Sequence, residues 1–334
     1  MHKISRVLLA CLILFSACKK DEPVIDCDTD SNVENPCLID GCENFIQKLY
    51  ENPVIVTFVK DSVQKKAPCF NPKNSNEFAF IDIDHSNGQK SLKVFEISSR
   101  SQRLIVSNQG IIGQPDWGSN GWILFVSDDY SLWKIRENGL NLQRLDSVSG
   151  YQHATWNHDG TKILGNFAPA NKPTSEALSI ILDSAGNHID TLLGKNLFFA
   201  DWDESNQIIG LESYPSFEYL QWGNFNIDDW KKLDSPLEGK GQILDAKWKN
   251  SSEFVFSRSN VGLYTQNTEG SETKVQNGCD SKSYAFLSYS MESNKIVAEV
   301  IQRRHEGQSV ISVIEKSIIV QLDPDGCNEK ILLQ

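Results

Sequence analysis

The sequence predicts an all-β fold, a six-bladed β-propeller with four antiparallel strands per blade, behind a short N-terminal extension. Three observations carry this. An aromatic residue followed by a short polar turn and an apolar strand recurs six times, at intervals of about 39 to 47 residues. Each interval holds four short runs of Val, Ile, Leu and aromatics, separated by Asn, Asp, Ser and Gly, as half-buried strands and tight turns require. A lone four-stranded sheet leaves both faces bare, and neighbours stacked around a closed ring cover them.

Taken in chain order, residues 1–17 read as a signal peptide. Lys3 and Arg6 precede the apolar run Val7 to Ala17, which is too short to span a bilayer. Phe15-Ser16-Ala17-Cys18 resembles the bacterial lipoprotein box, which implies a lipid on Cys18, a membrane anchor and a place at the outer membrane. The run Lys19-Lys20-Asp21-Glu22 resembles the export tag of Bacteroidota surface lipoproteins, which implies exposure at the cell surface. Residues 18–42 form an acidic, cysteine-containing tether. Asp26, Asp28 and Asp30 alternate there, but Ser31 and Cys37 stand where a calcium loop needs Gly and Glu, so no metal is expected. Residues 43–65 predict a short helix (Glu43 to Asn52) and a strand (Val54 to Val59) packed on the ring. Beyond Cys18, six cysteines are available for disulfides in an exported chain: Cys27, Cys37, Cys42, Cys69, Cys279 and Cys327. Their spacing leaves the pairing open, and no Cys-x-x-Cys pair points to zinc or redox chemistry.

Residues 66–334 carry the six repeats, anchored at Phe70, Trp117, Trp156, Trp202, Trp248 and Tyr289. In the second copy the strands centre on Trp117, Ile123 to Val126, Leu132 to Arg136 and Leu142 to Leu145. Asn120-Gly121 turns the first pair and Asn138-Gly139 the last, and the later turn recurs as Ala185-Gly186, Glu269-Gly270 and Asp325-Gly326. The fixed place of the anchors assigns them to packing between blades. Glu329 to Leu333 completes the last blade, so no N-terminal strand is needed to clasp the ring. Asp116-Trp117-Gly118-Ser119-Asn120-Gly121 with Leu132-Trp133-Lys134-Ile135, and Trp156-Asn157-His158-Asp159-Gly160, resemble the TolB-type propeller repeat. The resemblance implies a six-bladed ring. The stretch 43–65 is too short for the α/β domain that precedes the propeller of a true TolB, so the likeness is confined to the repeat.

Charge and motifs bound the function. Asp and Glu number 44 against 32 Lys and Arg, a formal net charge of -12, which argues against nucleic acid as a partner. No zinc-protease, serine-hydrolase or phosphate-loop motif is present, no cofactor is implied, and the histidines are scattered. One cluster departs from the repeat: Tyr214, Phe217, Trp222 and Trp230, with Asp228 and Asp229 beside them. Aromatics next to carboxylates suit sugar hydroxyls or a cation, so this is the candidate binding surface; the other reading of the cluster is a widened outer edge of the fourth blade. The leading expectation is a non-enzymatic, lipid-anchored envelope protein that recognises a protein or glycan through loops on one ring face. The alternative is a carbohydrate-active lyase or hydrolase working through Asp228 or Asp229.

Overall fold

The computed structural model describes residues 56–59, 62–146, 148–169, 177–212, 219–224, 229–234, 243–258, 262–270, 272–277, 282–305 and 311–334. Six sheets follow one another along the chain, five of four antiparallel strands and a sixth whose four antiparallel strands carry one further, parallel strand. Their first strands are Val63–Asn71, Ile111–Trp117, Tyr151–Trp156, Leu197–Trp202, Ile243–Asn250 and Lys282–Ser290. Each packs against the first strands of both neighbouring sheets, the sixth against the first. That closes the ring, with these six strands around its axis.

Burial falls from the axis outwards. Second strands are buried on both faces by the adjoining blades, so they read as continuous apolar runs, as in Phe78-Ala79-Phe80-Ile81 and Phe254-Val255-Phe256. Fourth strands such as Ser101–Ser107 and His188–Leu192 are largely exposed. The anchors lie at or near the ends of the first strands, and each reaches into the preceding blade. Trp117 packs with Ile81 and Val94, Trp156 with Leu124 and Val126, Trp202 with Leu164 and Ile181, and Trp248 with Ile209 and Leu211. Phe70 meets Val297 and Ile319 across the seam where the ring closes, and Tyr289 is a half-buried neighbour of the Val255 and Leu263 cluster.

The first blade starts at Val63, inside the stretch expected to belong to the extension. Of that extension the strand is present as Val56–Val59, while the expected helix over Glu43 to Asn52 lies outside the described residues. In the sixth blade the third strand, Ile311–Leu322, is long enough to carry two partners on one edge. Lys330–Leu333 pairs antiparallel with Ile319 to Gln321, and Val56–Val59 pairs parallel with Ile311 to Ile314. The C-terminal strand therefore completes the blade and the N-terminal one is an addition, as the sequence predicts.

Candidate functional site

Every first strand slips register a few residues before its anchor, at Lys66/Cys69, Ile112/Asp116, Tyr151/His153, Phe198/Asp201, Ile243/Asp245 and Ala285/Ser288. In four blades the slip holds a residue with positive φ: Ala67 (54°), Gly113 (69°), Phe199 (47°) and Phe286 (48°). Bulges of this kind re-aim the side chains that follow. The residues just before the anchors are Cys69, Asp116, Thr155, Asp201, Lys247 and Ser288. All but Thr155 line a cavity of about 160 Å³ at the axis. Its mouth is formed by turns that follow the first strands, with exposed His158, Met291 and Glu292.

These residues also sew the blades together. Trp117 N–H donates to Cys69 Sγ (3.2 Å), Trp156 N–H to Asp116 Oδ2 (2.6 Å), Trp248 N–H to Asp201 Oδ2 (2.8 Å) and Phe70 N–H to Ser288 Oγ (3.0 Å). Lys247 has no acceptor to offer. At that junction Asp245, two residues earlier, receives Leu287 N–H at 2.6 Å and faces the Lys247 ammonium at 3.7 Å.

Enclosure within the ring sets the charges. Burial pushes the Asp116 and Asp245 carboxyls up to about 6 against the pull of hydrogen bonds and Lys247, and it raises Asp201 in the same sense. Burial works against the Lys247 ammonium, but Asp245, Asp201 and Asp116 outweigh it and hold the charge on. Burial, with Lys247 next, depresses His153 to about 3, so its ring is neutral. Burial and the Asp116 carboxylate raise the Cys69 thiol, which stays protonated and is no nucleophile. Cys69 is a free cysteine, which corrects its place among the expected disulfide partners. Its sulfur sits at the axis between Trp117 N–H and the Phe70 and Asp116 oxygens, at 3.6 Å and 3.8 Å from the latter two.

The surface expected from the sequence divides differently. Tyr214, Phe217 and Asp228 lie outside the described residues, as do Cys18, Cys27, Cys37, Cys42 and Cys279. Cys327 is disulfide-bonded. Trp222 is a core residue, 5 % exposed and in a tilted ring contact with Phe254 at 5.2 Å, which corrects its assignment as a binding platform. Trp230 pairs with Gly223 and Trp222 with Lys231, so the two indoles leave opposite faces of one sheet and cannot form a single platform. Trp222 faces the fifth blade, and half-buried Trp230 packs on the Leu164 and Trp202 cluster, under Lys195 Nζ at 4.8 Å. Asp229 is exposed and borders a shallow groove with Gln207 and Lys231.

The axial cluster left no linear motif, because one residue type from each blade meets its partners only when the ring closes. The available signal was a polar or charged residue fixed one place before a buried aromatic, as in Asp116-Trp117, Asp201-Trp202 and Lys247-Trp248.

No protein-family model and no curated protein sequence matches the chain. Solved structures do. A protein assigned as a TolB from Agrobacterium tumefaciens superposes with a TM-score of 0.58 at 14% identity, covering 73% of this chain and 88% of that one. The fold is shared with TolB-type propellers. The propeller domain of the Trilobed protease from Pyrococcus furiosus, described as having an open Velcro topology, matches at TM-score 0.53 and 10% identity over 82% of this chain and 96% of its own. A structure of a nidogen/laminin complex contains a chain that matches at TM-score 0.51 and 9% identity, over 64% of this chain and 80% of that one. At these identities the likeness is one of fold.

Proposed function

We propose that this chain is a non-catalytic recognition module that seats a segment of a partner protein in its axial cavity. In this reading a lipid on Cys18 holds the ring at the outer membrane. One observation carries the proposal: turns from several blades converge on a recess at the axis, open at a rim of exposed His158, Met291 and Glu292. A rigid ring presenting a concave site is suited to recognition. The groups that chemistry would need are otherwise engaged. The Cys69 thiol and the His153 ring are held uncharged, and Asp116 and Asp201 accept backbone N–H bonds that join blades. The nidogen/laminin complex supports the reading by analogy, as a solved assembly with a chain of similar fold.

The test is site-specific photocrosslinking in intact cells. A benzophenone amino acid at His158 or Met291 is expected to trap one discrete protein, and the same group at Leu193, 86% exposed on an outer blade edge, is not. Crosslinks from Leu193 with none from the mouth would reject the axial site. Turnover of a polysaccharide by the purified protein would reject the non-catalytic reading.

A further inference from the structure

The geometry points to the chemistry of the group this cavity accepts: a protonated primary amine, held between the Asp116 and Asp201 carboxylates and the side-chain carbonyl of Gln114. This rests on the axial cavity being the recognition site.

Gln114 is the decisive residue. It lines the cavity from the first strand of the second blade and is 6% exposed. Its Nε2 donates to Pro68 O at 2.8 Å and Leu287 O at 2.9 Å, so it bridges the first and sixth blades. Two carbonyl acceptors around one amide end fix which end is nitrogen, because the flipped amide would set oxygen against oxygen. Oε1 is then a buried acceptor with no donor. Such an atom is costly until a donor arrives.

The charges ask for the same thing. Three carboxylates meet at the axis, from Asp116, Asp201 and Asp245, against one ammonium, Lys247. Lys247 is in ion-pair contact with Asp245. Among the described residues, Asp116 and Asp201 have backbone N–H partners and no ion-pair contact within 4 Å. Lys247 is the only Lys or Arg among the described residues lining the cavity; Lys66, on the first strand of the first blade, lies over the Phe286 ring at 5.4 Å, Cys69 is protonated and Ser288 carries no charge. The cavity is therefore negative, with Gln114 Oε1 lacking a donor and the lining Trp156 and Trp248 indole N–H groups lacking an acceptor. Among the described residues no trio of His, Cys, Asp and Glu is placed to hold a metal ion, which favours an organic cation. Four indoles, from Trp117, Trp156, Trp202 and Trp248, contribute to the walls and give an alkyl stem an apolar passage. About 160 Å³ has space for several waters, and so for an alkylammonium chain.

The probe is n-butylammonium chloride titrated into the full chain at pH 7.5, read by tryptophan fluorescence, with n-butanol and sodium chloride as controls. A saturable change with the amine alone is expected. Asp116→Asn and Asp201→Asn, which keep an acceptor for Trp156 and Trp248 N–H, are expected to weaken binding at least about tenfold with an unfolding midpoint no lower than the parent's. Binding is also expected to weaken at pH 5, where Asp116 is mostly protonated while the amine remains charged. Acetyl-Gly-Lys-Gly-amide against Gly-Gly-Gly-amide decides whether the amine belongs to a side chain or a chain start, and binding of either supports the assignment. Equal responses to amine and n-butanol, or undiminished binding by both variants, would overturn it. If amine binding fails while His158 still crosslinks a protein, the amine assignment alone falls. If the amine binds and no crosslink forms, the protein-partner reading falls instead.

Discussion

Asp201 receives Trp248 N–H across a blade junction at 2.8 Å, and Asp116 does the same for Trp156. Each carboxylate joins two blades at the cost of an enclosed charge. Substitution separates the two effects. Asp201→Asn keeps an acceptor and removes the charge, so its stability by urea denaturation is expected to match or exceed that of the parent. Asp201→Leu leaves a buried N–H without a partner and is expected to cost roughly 1–3 kcal/mol. Equal losses in both variants would show that the charge itself holds the junction. The same carboxylates set a pH dependence. Asp116 and Asp245 keep their protons up to about pH 6 when folded, against 3.8 ordinarily, so they contribute stability that is complete below about pH 4 and lost as pH rises through 6. His153, depressed to about 3, acts in the opposite sense and loses its contribution as pH falls from 6.5. Asp84, Asp129, Asp159 and Asp183 are lowered by turn hydrogen bonds, and their contribution fades only on the acid side of this window. Two raised aspartates, joined by Asp201, outweigh one histidine. Urea midpoints are therefore expected to fall between pH 4.5 and 6.5, and Asp116→Asn is expected to flatten that slope.

The hairpin between the third and fourth strands shows how an element is specified. Gly139, Gly186, Gly270 and Gly326 take φ of 82°, 94°, 103° and 82°, and each N–H closes a turn onto a carbonyl three residues earlier. Their surroundings differ. A Cβ on Gly270 meets nothing within 4 Å, whereas one on Gly186 falls 2.4 Å from Leu145 O in the adjoining blade. Gly270→Ala is expected to cost the backbone strain alone, about 1–2 kcal/mol, and Gly186→Ala distinctly more, as measured by thermal unfolding. Equal costs would mean that the adjoining blade yields freely. Turns like these and the buried anchors made the fold legible, because both depend on local chemistry repeated in register. In the second blade the expected strands at Ile123 to Val126 and Leu132 to Arg136 match Trp122–Ser127 and Leu132–Arg136 closely. The axial site was illegible for the converse reason. Cys69, Asp116, Asp201 and Lys247 differ in chemistry, lie far apart in sequence and become neighbours only through ring closure. Trp222 and Trp230 misled because nearness in sequence hid their opposite faces, which follow from pairing register rather than composition.

Closure is the problem a ring must solve as a whole. Among the described residues the four antiparallel strands of the first blade, and those of the sixth, each run consecutively in the chain, so side chains and the C-terminal strand hold the seam. Ala67 N–H donates to Glu299 Oε2 at 3.1 Å, Ser317 Oγ lies 2.8 Å from both Lys65 O and Glu299 Oε1, and Arg100 Nη2 donates to Leu332 O at 3.1 Å. Beneath them Phe70, Phe78 and Phe95 of the first blade pack with Val297, Ile319, Leu332 and Leu333 of the sixth. Leu332 and Leu333 are 2% and 6% exposed, so their burial is worth roughly 1.5–3 kcal/mol each. Val56–Val59 adds backbone pairing on the outer edge of the same blade, beyond this core. Two truncations compare these contributions. Removing residues 330–334 is expected to lower the melting temperature well beyond the loss caused by removing residues 19–59, which leaves all six blades complete. The shorter deletion also bares the edge of Ile319 to Gln321, so concentration-dependent association is expected with it and not with the longer one, read by light scattering during unfolding. If the N-terminal deletion proves the more damaging, the parallel strand is the true clasp, and the seam contacts at Glu299 and Leu332 are secondary.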